Sequence, residues 1–152
     1  MKHELLFRGK VLTDGQWIVG SSIDLCSDGS ASICSNGVDY VQVVPKTVGM
    51  LVCKVKLRDR KTVPIFEHDI VQFERESATF PDPVVVIYDF DASGYVFYSV
   101  RKDGGAIFDT QGHIYPVCGC VQLLKEKIKI LGNVHDNPEL VEWDEEKMKY
   151  LL

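Results

Sequence analysis

The sequence predicts a mainly β protein with an N-terminal meander, a second β module and one short C-terminal helix. Three observations carry that expectation. The first third holds Asp14-Gly15, Asp28-Gly29 and Asn36-Gly37, dipeptides whose residues tolerate the positive φ that two-residue hairpin loops require. Residues 51–57 alternate strictly, with Leu51, Cys53, Val55 and Leu57 on one face and Val52, Lys54 and Lys56 on the other, the pattern of a half-buried strand. A helix start is written only near the end, at Asn137-Pro138-Glu139-Leu140.

Taken in order, the hairpin dipeptides predict strands over 4–13, 16–26, 30–35 and 38–44. A two-residue loop at Asp14-Gly15 pairs Leu12 with Trp17 and Val11 with Ile18. The same loop at Asn36-Gly37 sets Ile33 opposite Tyr40, and apolar pairs of this kind stabilise a sheet. Pro45 to Gly49 is the expected boundary between modules at 1–46 and 47–152, because proline ends a strand and glycine frees the backbone. After the strand at 51–57, a charged turn at 58–61 leads through Pro64 to a turn of Glu67, His68 and Asp69 and a strand from Ile70. Two prolines mark a loop at 77–83, and the apolar run 84–90 suits a strand buried on both faces. Strands at 95–100, 121–124 and 127–131 complete the sheet, with Gln111-Gly112 setting Phe108 opposite Tyr115. In the tail, Asn137 is the expected N-cap, Pro138 lies in the first turn and Glu139 near the positive end of the helix dipole. That helix either runs to Leu152 or restarts at Asp144.

At 152 residues the chain is long enough for one ordinary domain or two small β modules. No apolar run approaches the ~20 residues of a membrane helix, and the start, MKHELLFRGK, has no h-region. A protein that stays in the cytoplasm where it is made, without membrane contact, is expected. The five cysteines (Cys26, Cys34, Cys53, Cys118 and Cys120) then read as reduced thiols. The formal charge is −5, and it is uneven. Residues 136–149 hold six acids and two lysines, net −4, which leaves the rest near neutrality.

Two segments carry a family likeness: TVGMLVCKVKLRDRKTVPIFEHDIVQF at 47–73 and IKILGNVHDNPELVE at 128–142. Together with LLFRGK near the N-terminus they resemble the YopX family of bacteriophage and prophage proteins. The departures are that His68 stands where the family usually has glycine, and that no glycine occupies the turn between Asp59 and Ile65. The tight turn before Ile70 is therefore expected to differ. The resemblance implies that residues 47–152 form a small SH3-type barrel with the terminal helix, in a phage-encoded accessory protein. It implies no catalytic activity.

Cys118 and Cys120 share a face if they lie on a strand and could start a zinc site. Cys26 and Cys34 supply no matching pair, so buried thiols are the expectation and no metal or cofactor is assigned. His68, Asp69, Glu67, His135 and Asp136 would form an acid/base or cation-binding cluster if the closing strand lies beside the opening one, yet turn residues are mostly polar for backbone reasons. No serine or cysteine has an identifiable partner base, so the chain reads as a non-enzyme with no evident small-molecule substrate. Its expected role is binding to a protein partner or to its own copies through the terminal segment, with Leu140, Val141, Met148, Leu151 and Leu152 as an apolar face. The second reading is sequence-tolerant nucleic-acid binding. Lys54, Lys56, Arg58 and Arg60 fall on alternate positions, as do Lys125, Lys127 and Lys129, with Phe90, Tyr95, Phe97 and Tyr98 as stacking surfaces. Lysines on exposed strands also deter edge pairing, which is the plainer account of them.

Overall fold

The computed structural model describes residues 4–57, 59–73, 82–108, 111–113, 117 and 128–152. The protein is mainly β, with antiparallel strands and one short α-helix at the C-terminus. Its chain divides into two compact units, Met1–Leu51 and Val52–Leu152.

The first unit holds β1 (Phe7–Lys10), β2 (Trp17–Gly20), β3 (Ser22–Leu25), β4 (Ala31–Cys34) and β5 (Tyr40–Val43), then a 3-10 turn at Pro45–Thr47 and the start of β6 (Gly49–Lys56). β1 pairs with β2 and with the first residues of β6, while β3, β4 and β5 form a three-stranded sheet. Ala31, Ile33 and Val43 make the core, against which Phe7, Ile18, Ile23 and Val48 pack. Gly20 is dictated by space: a Cβ there would strike the Cys34 carbonyl. On the sheet surface, the Arg8 guanidinium lies 4.8 Å over the Trp17 ring.

All three expected two-residue hairpins are longer than that. Lys10 pairs with Trp17 and Gly9 with Ile18, because Val11 donates to Gln16 and accepts from Gly15 in a wider loop. The shift is two residues, so each side chain keeps its face. At Asp28-Gly29 the loop is a three-residue one, closed by Cys26 N–H to the Ser30 carbonyl at 2.9 Å, with Gly29 at φ 85°. Ile33 pairs with Val41 and Cys34 with Tyr40, since Asn36 Oδ1 accepts from the amides of both Val38 and Asp39 and so builds a wider turn.

The second unit contains the remainder of β6, then β7 (Thr62–Phe66), β8 (Asp69–Phe73), β9 (Val84–Asp89), β10 (Gly94–Ser99), β11 (Ile128–Asn133) and α1 (Glu145–Leu151). β7 was not expected as a strand. Pro64 is tolerated there because β7 lies at the end of the strand order β2-β1-β6-β7, where an edge asks no ladder hydrogen bond of proline. The order β10-β9-β8-β11 puts β8 and β9 at the centre of the other sheet. Of the expected run 84–90, the first four residues are buried on both faces: Val84 and Val86 join Val71, Phe73 and Phe97 in one cluster, and Val85 and Ile87 join Ile70, Val134 and Trp143 in another. Tyr88 and Phe90, by contrast, are exposed where the strand ends. Pro138–Leu140 forms only a 3-10 turn, with Asn137 giving no side-chain cap. The helix proper starts after Asp144, whose carboxylate accepts from the Lys147 amide.

The expected strand at 121–124, the Phe108–Tyr115 pairing and the Cys118–Cys120 pair fall on residues outside the described ones.

Candidate functional site

The two-residue loop between β7 and β8 is Glu67-His68, and His68 sits in the left-handed region at φ 69°. That is the glycine conformation, adopted here by a residue with a Cβ. Three contacts hold it. The His68 amide donates to the Val86 carbonyl at 2.8 Å, its carbonyl accepts from Val134 at 3.1 Å, and Asp69 Oδ2 accepts from the Phe66 amide at 2.8 Å. The loop is thus stitched to β9 on one side and to the segment after β11 on the other.

The same stitching brings His68 and His135 together. His68 Nδ1 lies 3.0 Å from His135 Nε2, with the rings edge to face. One ring donates and the other accepts, so the bond survives in the neutral or singly protonated pair and not in the doubly protonated one. On its other side His68 Nε2 is 3.8 Å from Glu67 Oε1. Tyr95 hydrogen-bonds Glu67, and burial, followed by the Glu67 carboxylate, holds the Tyr95 phenol above its ordinary range. A polar chain Tyr95–Glu67–His68–His135 therefore crosses from β10 to the turn after β11. His68, Asp69 and Asn133 are all buried. Asn133 Oδ1 accepts from the amides of His135 and Asp136 at 3.0 Å, and its amide donates to Asp136, which fixes the turn carrying His135.

The conditional cluster of His68, Asp69, Glu67, His135 and Asp136 is thus partly assembled. Its chemistry is that of a clip. Asp69 is committed to a backbone amide, Asp136 to Asn133, and among the described residues no three His, Cys, Asp or Glu side chains are grouped to hold a metal.

Lys54 and Lys56 project from the exposed face of β6, Arg60 is exposed in the β6–β7 turn, and Lys129 is exposed on β11. β6 and β11 lie in different sheets. Arg58, Lys125 and Lys127 lie outside the described residues. Of the proposed stacking rings, Phe97 is fully buried in the core and Phe90 is 87% exposed. In the terminal segment, Val141 is buried and Met148 and Leu151 pack against the second unit's own core, leaving Leu140 and Leu152 about two-fifths exposed.

That packing creates a feature the sequence did not single out. Tyr88, Asp89, Phe90 and Asp91 at the β9–β10 loop, with Tyr98 and Tyr150, line a cleft of about 380 Å³. Tyr88 meets Phe90 edge to face at 5.1 Å and Tyr95 at 5.2 Å. The Tyr98 phenol is pushed up by burial and then by Asp89 and Tyr150. The available signal was the run's own ending: β9 passes from Val-Val-Val-Ile into Tyr-Asp-Phe-Asp, aromatic and acidic residues where a buried strand needs neither.

Among the described residues no helix is long and apolar enough to cross a membrane. No curated protein and no solved structure matches the chain. The pattern of the YopX protein family matches residues 7–142, and so covers most of the chain, including the β7–β8 turn and the turn of Asn133. The chain belongs to the YopX family.

Proposed function

We propose that this chain is a non-enzymatic interaction module, encoded by a phage or prophage and working in the bacterial cytoplasm, which contacts a protein partner or a second copy of itself. The observation that carries the reading is the exposure of Phe90 (87%) and Tyr150 (84%) on the rim of one cleft. Large aromatics left in water around a concavity are the anchors that interfaces favour. The contact surface differs from the apolar face read in the sequence, because Val141, Met148 and Leu151 are used internally and the helix presents Tyr150 instead. We read the second unit as a small barrel of the SH3 type. In support, β8, β9 and β10 form an antiparallel meander and β11 returns to pair with β8.

The test is a photo-crosslinking residue placed at Phe90 or Tyr150, with Val38, 78% exposed in the first unit, as control, expressed in the native cell. Adducts at 90 and 150 but not at 38 are expected, and their mass separates a partner from a second copy. No adducts, or equal ones at all three positions, would overturn the reading.

A second reading, nucleic-acid binding, is favoured by the shared exposed face of Lys54 and Lys56. Fluorescence anisotropy with mixed-sequence probes tests it. Binding that weakens steeply with salt supports phosphate contacts, and no binding at low salt removes the reading.

A further inference from the structure

We infer that the cleft between the β9–β10 loop and α1 takes the guanidinium of an arginine from a partner polypeptide, an inference that rests on the interaction reading above. The wall chemistry selects the charge. Tyr88, Phe90, Tyr98 and Tyr150 present aromatic rings, whose faces are negative, and Asp89 and Asp91 add two carboxylates. Asp89 Oδ1 accepts from the Ala92 amide, which holds that carboxylate at the loop. Among the described residues neither Asp89 nor Asp91 forms an ion pair with a lysine or arginine. An anion would be repelled from such a site, and a neutral apolar group would leave the carboxylates uncompensated.

One of these rings, Tyr98, already faces a cation within the chain. The Lys147 ammonium stands 6.0 Å from the Tyr98 ring and 5.6 Å from Trp143, held by the carbonyls of Arg101, Lys102 and Gly104. Lys147 does not line the cleft, so a cation from outside would find it unfilled. Arginine fits better than lysine because its planar group stacks on rings while its fork pairs with carboxylates. The volume of about 380 Å³ is near the lower end for ligand pockets, which suits one side chain rather than a large molecule. Acidic residues Asp144, Glu145 and Glu146 open the adjoining helix and extend the negative field that would steer a basic segment inward.

The experiment titrates the isotope-labelled protein with a capped hexapeptide containing two arginines, and with the same peptide carrying citrulline, at low salt. Citrulline keeps the shape and removes the charge. Backbone shifts confined to residues 87–91 and 150–151, with the citrulline peptide binding about tenfold more weakly, are expected. The double variant D89N/D91N should abolish the difference while keeping the Ala92 hydrogen bond, since asparagine retains the acceptor oxygen. A second variant, Phe90→Ala, alters an exposed side chain and should weaken the arginine peptide alone. Equal affinity for both peptides, shifts mapping elsewhere, or indifference to these substitutions would overturn the inference. Displacement of the peptide by an equal concentration of tetramethylammonium would reassign the cleft to small organic cations. Crosslinks at residue 90 together with equal peptide affinities would leave the interaction reading standing and remove the guanidinium alone.

Discussion

Left-handed backbone at a residue with a Cβ costs about 1–2 kcal/mol, and this chain accepts it at Arg60, His68 and Ser93. Arg60 and His68 each stand in a turn next to β7 that contains no glycine, so a residue with a Cβ takes the left-handed position. At Arg60 the geometry repeats that of the Gly29 loop: Leu57 donates to the Lys61 carbonyl at 2.8 Å, Arg60 donates to Leu57, and Lys61 donates to Asp59 Oδ1. Arg60 is exposed. Replacing it with glycine should therefore stabilise the protein by about 0.5–1 kcal/mol, the relieved strain less the added freedom of the unfolded chain, as read by urea unfolding. His68→Gly should do the opposite, because the buried ring and its bond to His135 outweigh the strain. His135→Ala should cost about 1–3 kcal/mol, since it removes a partner from a buried imidazole. The double variant H68G/H135A should then be less destabilised than the two single losses added together, because residues in contact couple. A simple sum would show that the ring pair contributes nothing of its own.

Among the elements, α1 is seven residues long, too short to persist alone in water, and it is held by what its side chains reach. Lys147 ties it to the loop after β10, and the Trp143 indole before it donates to the Ser99 carbonyl at 2.8 Å. Lys147→Met keeps the stem and deletes the ammonium. It should cost about 1–3 kcal/mol through the lost charge-assisted bonds and should shift Trp143 fluorescence toward that of an exposed indole. An unchanged spectrum and midpoint would mean that packing alone holds the helix. On the same loop, Arg101 makes two 3.0 Å bonds to Asp82, and these hold the Asp82 carboxyl below its ordinary value. A lowered folded pKa gives stability that is complete above the unfolded value near 4 and is lost as pH falls through the folded one. The Tm difference between the parent and Arg101→Gln should accordingly be present at neutral pH, shrink below pH ~4 and be reduced by salt, because the pair is exposed. A difference constant down to pH ~2 would contradict this.

At the scale of the whole molecule, what was legible in the sequence is what depends on periodicity. The run in β9 announced burial on both faces, and Val84 to Ile87 are each no more than 2% exposed. The alternation of residues 51–57 fell on β6, and mainly β architecture with a short terminal helix followed from turn chemistry. Loop length was illegible because side chains such as Asn36 extend a turn by bonding the backbone further on, and dipeptide identity does not record that. The histidine pair was illegible for another reason: 67 residues separate its members, and only strand order joins them. Strand order also sets the prediction that belongs here. β8 and β9 are paired on both edges and wall both clusters of the second unit, so opening them exposes both cores at once. Amides in Ile70–Phe73 and Val84–Ile87 should therefore exchange with deuterium only through the largest opening that unit undergoes, and more slowly than those of β7 or α1. Hydrogen-exchange mass spectrometry resolves these segments. If β7, an edge strand interrupted by Pro64, exchanged as slowly as β9, the shared wall would not be what holds the unit together. Stability would then have to come from residues beyond the two clusters.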